Sequence, residues 1–220
     1  TTLLAQADSC IGSKTSINFN TAKNLLGTFH PPREIISCPK FINSLKTSDI
    51  KSGIGEMLHY FLIYDISMAE FLMSDYEQII QGDRSRLEFY IKQSLKMKKH
   101  LVELDEFDSS ERRIYNYGHT FGHAVESLSS YKIPHGQAVT LGIDMANFLS
   151  YKLGYINHEK YKKINQIIRK NIPDFNIRPD QLKQYIDLLS KDKKNIDDSI
   201  VCILPEGDKI KVKKITNPKP

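Results

Sequence analysis

A mainly α fold, entered through a β-rich lead-in, follows from three features of this 220-residue sequence. From Ser48 onward apolar residues recur over long stretches with a period near 3.6, the mark of helices burying one face. The first 46 residues are instead rich in Thr, Ser, Asn, Gly and Pro, with short apolar pieces such as Glu34-Ile35-Ile36-Ser37, as loops and short strands are. Near the end, two alternating runs flank Pro205-Glu206-Gly207-Asp208, a hairpin pattern. With 40% apolar residues the chain has enough to bury roughly 70% of its unfolded surface, so it is expected to fold as a globular protein.

Residues 1–46 read as the tail of an α/β domain and residues 47–220 as a helical domain closed by a β-hairpin. The periodicity predicts helices over Asp49–Tyr64, over Gln78–Glu103 with a break near Gly82-Asp83, over Ser110–Ser129 and over Gly136–Leu153. Ser110 and Glu111 give the third an N-terminal signal, while Pro134 and Gly136 punctuate the entry to the fourth. Shorter helices follow over His158–Lys170 and Pro179–Ser190, set off by Pro173 and Pro179. The hairpin strands fall at Ser199–Leu204 and Lys209–Ile215.

Composition narrows the function classes. Cys10, Cys38 and Cys202 are scattered without the spacing of a disulfide framework or a thiolate zinc site, which suits a reducing, cytoplasmic setting. No apolar run approaches the ~20 residues of a membrane span, so no membrane partner is expected. The net charge of +5 is uneven, with 16 Lys and Arg against 9 Asp and Glu from Tyr151 onward. That basic end hints at an anionic partner, but no nucleic-acid-binding motif accompanies it and nucleic acid is not expected. The sequence lacks an initiator Met and is motif-rich from its first residue, so it is expected to be a fragment of a longer protein.

Chemistry concentrates in three segments. Gly118-His119-Thr120-Phe121-Gly122-His123 puts two imidazoles four residues apart, on one helix face. Twelve residues later His135 sits between Pro134 and Gly136, where a short connection folds the next helix back against the first. Glu56, on the mostly apolar helix around Ser52-Gly53-Ile54-Gly55-Glu56, is a charge that needs a partner. Metal binding explains the set, and so do helix capping for the histidines and a salt bridge for the glutamate.

Six blocks in order, Asp8-Ser9-Cys10-Ile11-Gly12-Ser13-Lys14-Thr15, Lys23 to Phe29, Ser52 to Glu56, Arg112 to Asn116, Gly118 to Ala124 and His135-Gly136, followed by Asp192-Lys193-Lys194, resemble the signature blocks of 3-dehydroquinate synthases. The resemblance covers nearly the whole chain and implies a dehydroquinate-synthase-like helical C-terminal domain behind a remnant of an NAD-binding domain. It implies that Glu56, His119 and His135 hold zinc or cobalt, leaving open positions as a catalytic site requires. His123 is then a substrate contact that moves protons rather than a ligand. Asp8 and Lys14 join it as catalytic groups, and Lys14, Asn24, Lys98, Arg112, Asn116 and Lys193 bind the carboxylate, phosphate and hydroxyls of the substrate. Thr1, Thr2, Lys14, Lys23 and Ser44 match positions that touch NAD.

The implied substrate is a seven-carbon keto-acid phosphate, 3-deoxy-D-arabino-heptulosonate 7-phosphate. Oxidation of a ring alcohol by NAD acidifies the neighbouring C–H, phosphate leaves with its own oxygens able to serve as base, the ketone is re-reduced, and ring opening with aldol closure gives 3-dehydroquinate, a shikimate-pathway intermediate. Family members are generally homodimers. This sequence departs from the pattern at His59, where a lysine is usual and a substrate contact is expected, at Gln137, where an acid is usual, and at Ser13, where a glycine is usual. Rival readings are another sugar phosphate cyclase, a metal-dependent alcohol or polyol dehydrogenase, and a non-catalytic metal-binding module.

Overall fold

Helix α1 (Thr47–Tyr64) is the axis on which the protein is built, and the computed structural model, which describes residues 2–19, 22–107, 111–190 and 199–216, wraps other elements around it. Its residues from Ser52 to Phe61 are all buried, as expected of a helix covered on every side. Helices α2 (Ile66–Ser74), α3 (Tyr76–Ile80) and α4 (Arg84–Leu104) follow and pack back on it. Asp65 and Asp83 cap α2 and α4, accepting from Ser67 N at 3.0 Å and Arg86 N at 3.1 Å. Helices α5 (His119–Leu128) and α6 (His135–Lys152) form an antiparallel pair, and α6 crosses α1. Beyond them lie α7 (His158–Ile168), capped by Asn157, and α8 (Leu182–Ser190).

Two antiparallel hairpins complete the fold. β1 (Lys14–Phe19) pairs with β2 (Ala22–Phe29) near the start, and β3 (Ser199–Glu206) with β4 (Lys209–Thr216) near the end. Strand β3 lays Val201, Cys202, Ile203 and Leu204 into the core, while β4 stays largely outside. Ahead of β1, a short wide-pitch helical turn over Ala5–Ser9 is tied to α4 by Ser94 Oγ, which donates to Ala7 O at 2.9 Å. The main core gathers around Ile54, Met57, Leu58 and Phe61 of α1, and a smaller cluster joins Val125 and Leu128 of α5 to Tyr185 and Leu189 of α8.

The crossing of α1 and α6 is made by backbone contact. A Cβ on Gly136 would stand 1.8 Å from Ser52 O, and one on Gly55 1.9 Å from Gly136 O. Gly136 N also donates to Ser52 Oγ at 3.0 Å. The sequence held this crossing only as punctuation at Gly136.

Several boundaries differ from the periodic reading. The helix predicted over Ser110–Ser129 is two elements: a 3-10 turn over Glu111–Asn116, then α5, because Gly118 takes a left-handed conformation (φ 79°) that ends one and starts the other. α2 lay outside the predicted helices. Glu34–Ser37 forms no strand, and the predicted helix over His158–Lys170 tightens to a 3-10 turn after Ile168.

Candidate metal centre and cleft

The α1–α6 crossing and the α5–α6 turn bring four chain-distant side chains together. Glu56 projects from the middle of α1, His119 is the first residue of α5, His123 lies one turn later, and His135 is the first residue of α6. His119 Nε2 is 3.4 Å from Glu56 Oε1, and His135 Nε2 is 3.6 Å from Glu56 Oε2. A ligating atom from each of His119, His123 and His135 falls within 4.8 Å of the others. Glu56 is 4% exposed and its Oε2 has no hydrogen-bond partner, so a buried acceptor faces two imidazoles with nothing in place to satisfy it. A dication is a group that this donor set fits: a carboxylate and three imidazoles converge from three helices.

His135 is oriented from behind. Its Nδ1 lies 3.0 Å from Glu126 Oε2, a carboxylate 4% exposed on the inner face of α5. That contact fixes the tautomer with Nδ1–H donated to the carboxylate and turns Nε2 toward Glu56. Gln137, where the family pattern has an acid, is buried on α6, and the carboxylate that meets His135 Nδ1 is Glu126. A signal was present, since Glu126 lies three residues after His123 and seven after His119, on the same face of α5.

A cleft opens at these side chains, lined by Asp8, Lys14, Tyr60, Lys98, Tyr115 and Asn116 together with Glu56 and the three histidines. Asp8 Oδ1 accepts from Tyr60 OH and from Lys98 Nζ, both at 2.6 Å, and Lys98 Nζ also donates to Asp8 O at 2.7 Å. Lys98 is 7% exposed, so its ammonium is a fixed charge held by Asp8 rather than a solvated one. Tyr60 was not singled out from sequence, because an aromatic on a buried helix reads as core, and Tyr115 of the 3-10 turn carried no signal of its own.

The remaining predicted residues divide. Asn116 Nδ2 donates to Arg113 O at 3.1 Å from the cleft rim. Thr2 Oγ1 accepts from Ala5 N at 3.1 Å and Ser44 Oγ donates to Phe41 O at 3.4 Å; both side chains are exposed and outside the cleft lining. Thr1 and Lys193 lie outside the described residues, as do the side chains of Lys23, Asn24 and Arg112. His59 departs from its expected part as a substrate contact: it is 1% exposed and sits behind the cleft wall, against the rings of Tyr60 and His119. Burial pushes its pKa down to about 3, His119 acting in the same direction while Glu56, Asp8 and the Tyr115 backbone oppose, so the ring is neutral at ordinary pH.

Comparison with known proteins places this architecture. Residues 1–52 match the family model described as 3-dehydroquinate synthase N-terminal, and residues 53–195 the model described as 3-dehydroquinate synthase C-terminal. A 3-dehydroquinate synthase from Dictyoglomus turgidum is 39% identical over 207 residues, which is 93% of this chain and 58% of that protein. A bifunctional 3-dehydroquinate synthase/phosphatase from Fusobacterium nucleatum is 37% identical over 94% of this chain and 32% of its own length. Among solved structures, a 2-deoxy-scyllo-inosose synthase complexed with carbaglucose-6-phosphate, NAD+ and Co2+ superposes with a TM-score of 0.86 at 24% identity, covering 98% of this chain and 62% of that one. A 2-epi-5-epi-valiolone synthase from Streptomyces hygroscopicus, with NAD+ and Zn2+ bound, gives 0.79 at 20%, covering 99% and 61%. The chain thus spans about three fifths of the Dictyoglomus relative and of the two solved structures and about a third of the bifunctional protein, and with family models covering residues 1–195 without a gap it belongs to the 3-dehydroquinate synthase family.

Proposed function

We propose that this chain carries the metal- and substrate-binding part of a 3-dehydroquinate synthase, a carbon–oxygen lyase that converts 3-deoxy-D-arabino-heptulosonate 7-phosphate to 3-dehydroquinate and phosphate. The observation that carries the reading is the buried, unsatisfied Glu56 carboxylate facing His119 and His135 at the mouth of a cation-bearing cleft. Glu56, His119 and His135 would hold Zn2+ or Co2+, with Glu126 orienting His135. A bound dication supplies Lewis acidity, lowering the pKa of a coordinated alcohol. NAD supplies the hydride acceptor and donor, and Lys14 on the cleft edge is this chain's contact to it that lines the cleft; Thr1, Thr2, Lys23 and Ser44 are proposed to contribute further along residues 1–46, the end of the nucleotide-binding domain.

The chain's own residues bind and position. Lys14 presents an ammonium to the anionic groups of the substrate, and Asn116 offers amide hydrogen bonds at the rim. Arg112, Asn24 and Lys193 are assigned to the same task. His123, one helical turn from His119, is placed to hold or pass a proton at the substrate hydroxyl. Lys98, locked to Asp8, keeps that carboxylate aimed while placing a cation in the cleft lining.

Phosphate release from the heptulosonate phosphate, followed with NAD and Zn2+ present, tests the reading. The chain extended with the N-terminal part of the Dictyoglomus turgidum relative is expected to turn over, and the chain alone to give negligible release. Hydride transfer without phosphate release would instead favour the polyol dehydrogenase reading.

A further inference from the structure

The wall behind Glu56 contains a second unsatisfied group. His59 lies one turn further along α1, is 1% exposed, and makes no well-formed hydrogen bond at either ring nitrogen, although the Tyr115 backbone lies near enough to act on it. Its Nδ1 is 3.9 Å from Glu56 Oε1, just beyond hydrogen-bond reach. The ring is wedged against Tyr60 at 4.7 Å and His119 at 4.9 Å between centroids, so it is held in place, and only a small shift separates a donor from an acceptor. Of the two Glu56 oxygens, Oε1 lies between His59 at 3.9 Å and His119 at 3.4 Å, and Oε2 faces His135 with no hydrogen bond of its own. Among the described residues His59 stands outside the group formed by His119, His123 and His135, whose ligating atoms lie within 4.8 Å of one another.

We propose that His59 is a positioning residue for the metal centre: its Nδ1–H closes onto Glu56 Oε1 and thereby turns Oε2 toward the ion. Glu56 and His135 are then each held from behind, one by an imidazole and the other by the Glu126 carboxylate. The role requires the tautomer of the neutral ring that carries its proton on Nδ1, which then donates to the carboxylate. A side chain that donates from the γ-branch at this position serves the same purpose; an apolar one of the same shape does not.

The inference rests on the metal reading above, and the test separates the two. Asn and Leu share branching and size, and Asn places an amide N–H close to where Nδ1 stands. Zinc affinity is measured by competition with a chromophoric chelator for the unaltered chain, His59→Leu and His59→Asn, alongside thermal melting and the visible spectrum of each Co2+-loaded form. The unaltered chain is expected to bind one zinc, His59→Leu to bind at least about tenfold more weakly, and His59→Asn to stay within about threefold, with cobalt spectra of unchanged ligand number. If the unaltered chain binds no zinc, the metal reading itself fails. Equal affinity in His59→Leu and the unaltered chain, or an equal loss in both variants, overturns the positioning role, and a cobalt spectrum that changes coordination number in His59→Leu overturns it in favour of direct ligation. Should His59→Leu fail to fold, His59→Ala takes its place in the same comparison.

Discussion

Glu126 offers the sharpest test of how the site is built. Its carboxylate is buried at 4% exposure and meets His135 Nδ1 at 3.0 Å, so it sets both the tautomer and the direction of the imidazole that faces Glu56. Partners of this kind contribute about 10- to 100-fold to metal affinity, or roughly 1.4 to 2.7 kcal/mol. Glu126→Gln keeps the shape and an acceptor oxygen, so the ring stays aimed and only the charge that makes it a stronger ligand is lost; the expected loss is about tenfold. Glu126→Leu removes acceptor and charge together, leaves Nδ1 without its partner, and belongs at the hundredfold end. Zinc affinity by chelator competition at neutral pH reads both, with melting curves to confirm folding. Zinc binding by Glu126→Leu at the unaltered affinity would refute the assignment of His135 as a ligand held through Glu126.

Other expectations follow from the same geometry. Gln137→Glu should give no gain in zinc affinity, because the Nδ1 of His135 is already engaged by Glu126; a gain in the same titration would reinstate position 137. Gly136→Ala should cost about 3 kcal/mol and weaken zinc binding along with it, since the added carbon meets Ser52 O at 1.8 Å and forces α6 off α1; denaturant unfolding measures the first effect. Lys98→Ala leaves the Asp8 carboxylate in its recess without the ammonium, a loss of about 3–5 kcal/mol, seen as a lowered urea midpoint. Burial depresses the folded-state pKa of His59 to about 3, below its unfolded value, so its contribution to stability is complete above the unfolded value of about 6.5 and is lost as pH falls toward 3. Unfolding of the metal-free chain should therefore become easier below about pH 6.5, by at most ~1.4 kcal/mol per pH unit from this group, and His59→Leu should flatten that slope.

Much of this was legible in the sequence, and the parts that were not have identifiable reasons. Helices α1, α4 and α6 announced themselves because each buries a long periodic face, and the convergence of Glu56, His119 and His135 followed from the spacing and the family blocks. The break before α5 was missed because periodicity runs on through Tyr117-Gly118, and only the left-handed backbone at Gly118 stops the helix. Glu126 was passed over, and His59 expected at the substrate, for the same physical reason. Each acts on a neighbour across a packed interface, and linear spacing does not say which face of α1 or α5 lies toward His135 or behind the cleft. Tyr60, whose hydroxyl reaches Asp8 some fifty residues earlier, carries no local signal at all. The two-part division at residue 46 remains a reading of composition, beside a family boundary at residues 52–53.

Anomalous diffraction from a zinc-loaded crystal of the chain would locate the ion directly. The account predicts a single strong peak at about 2.0–2.2 Å from Nε2 of His119, Nε2 of His135 and a Glu56 oxygen, with His135 still paired to Glu126. A peak bound by His119, His123 and His135 with Glu56 turned away, or no peak in this cleft, would contradict it.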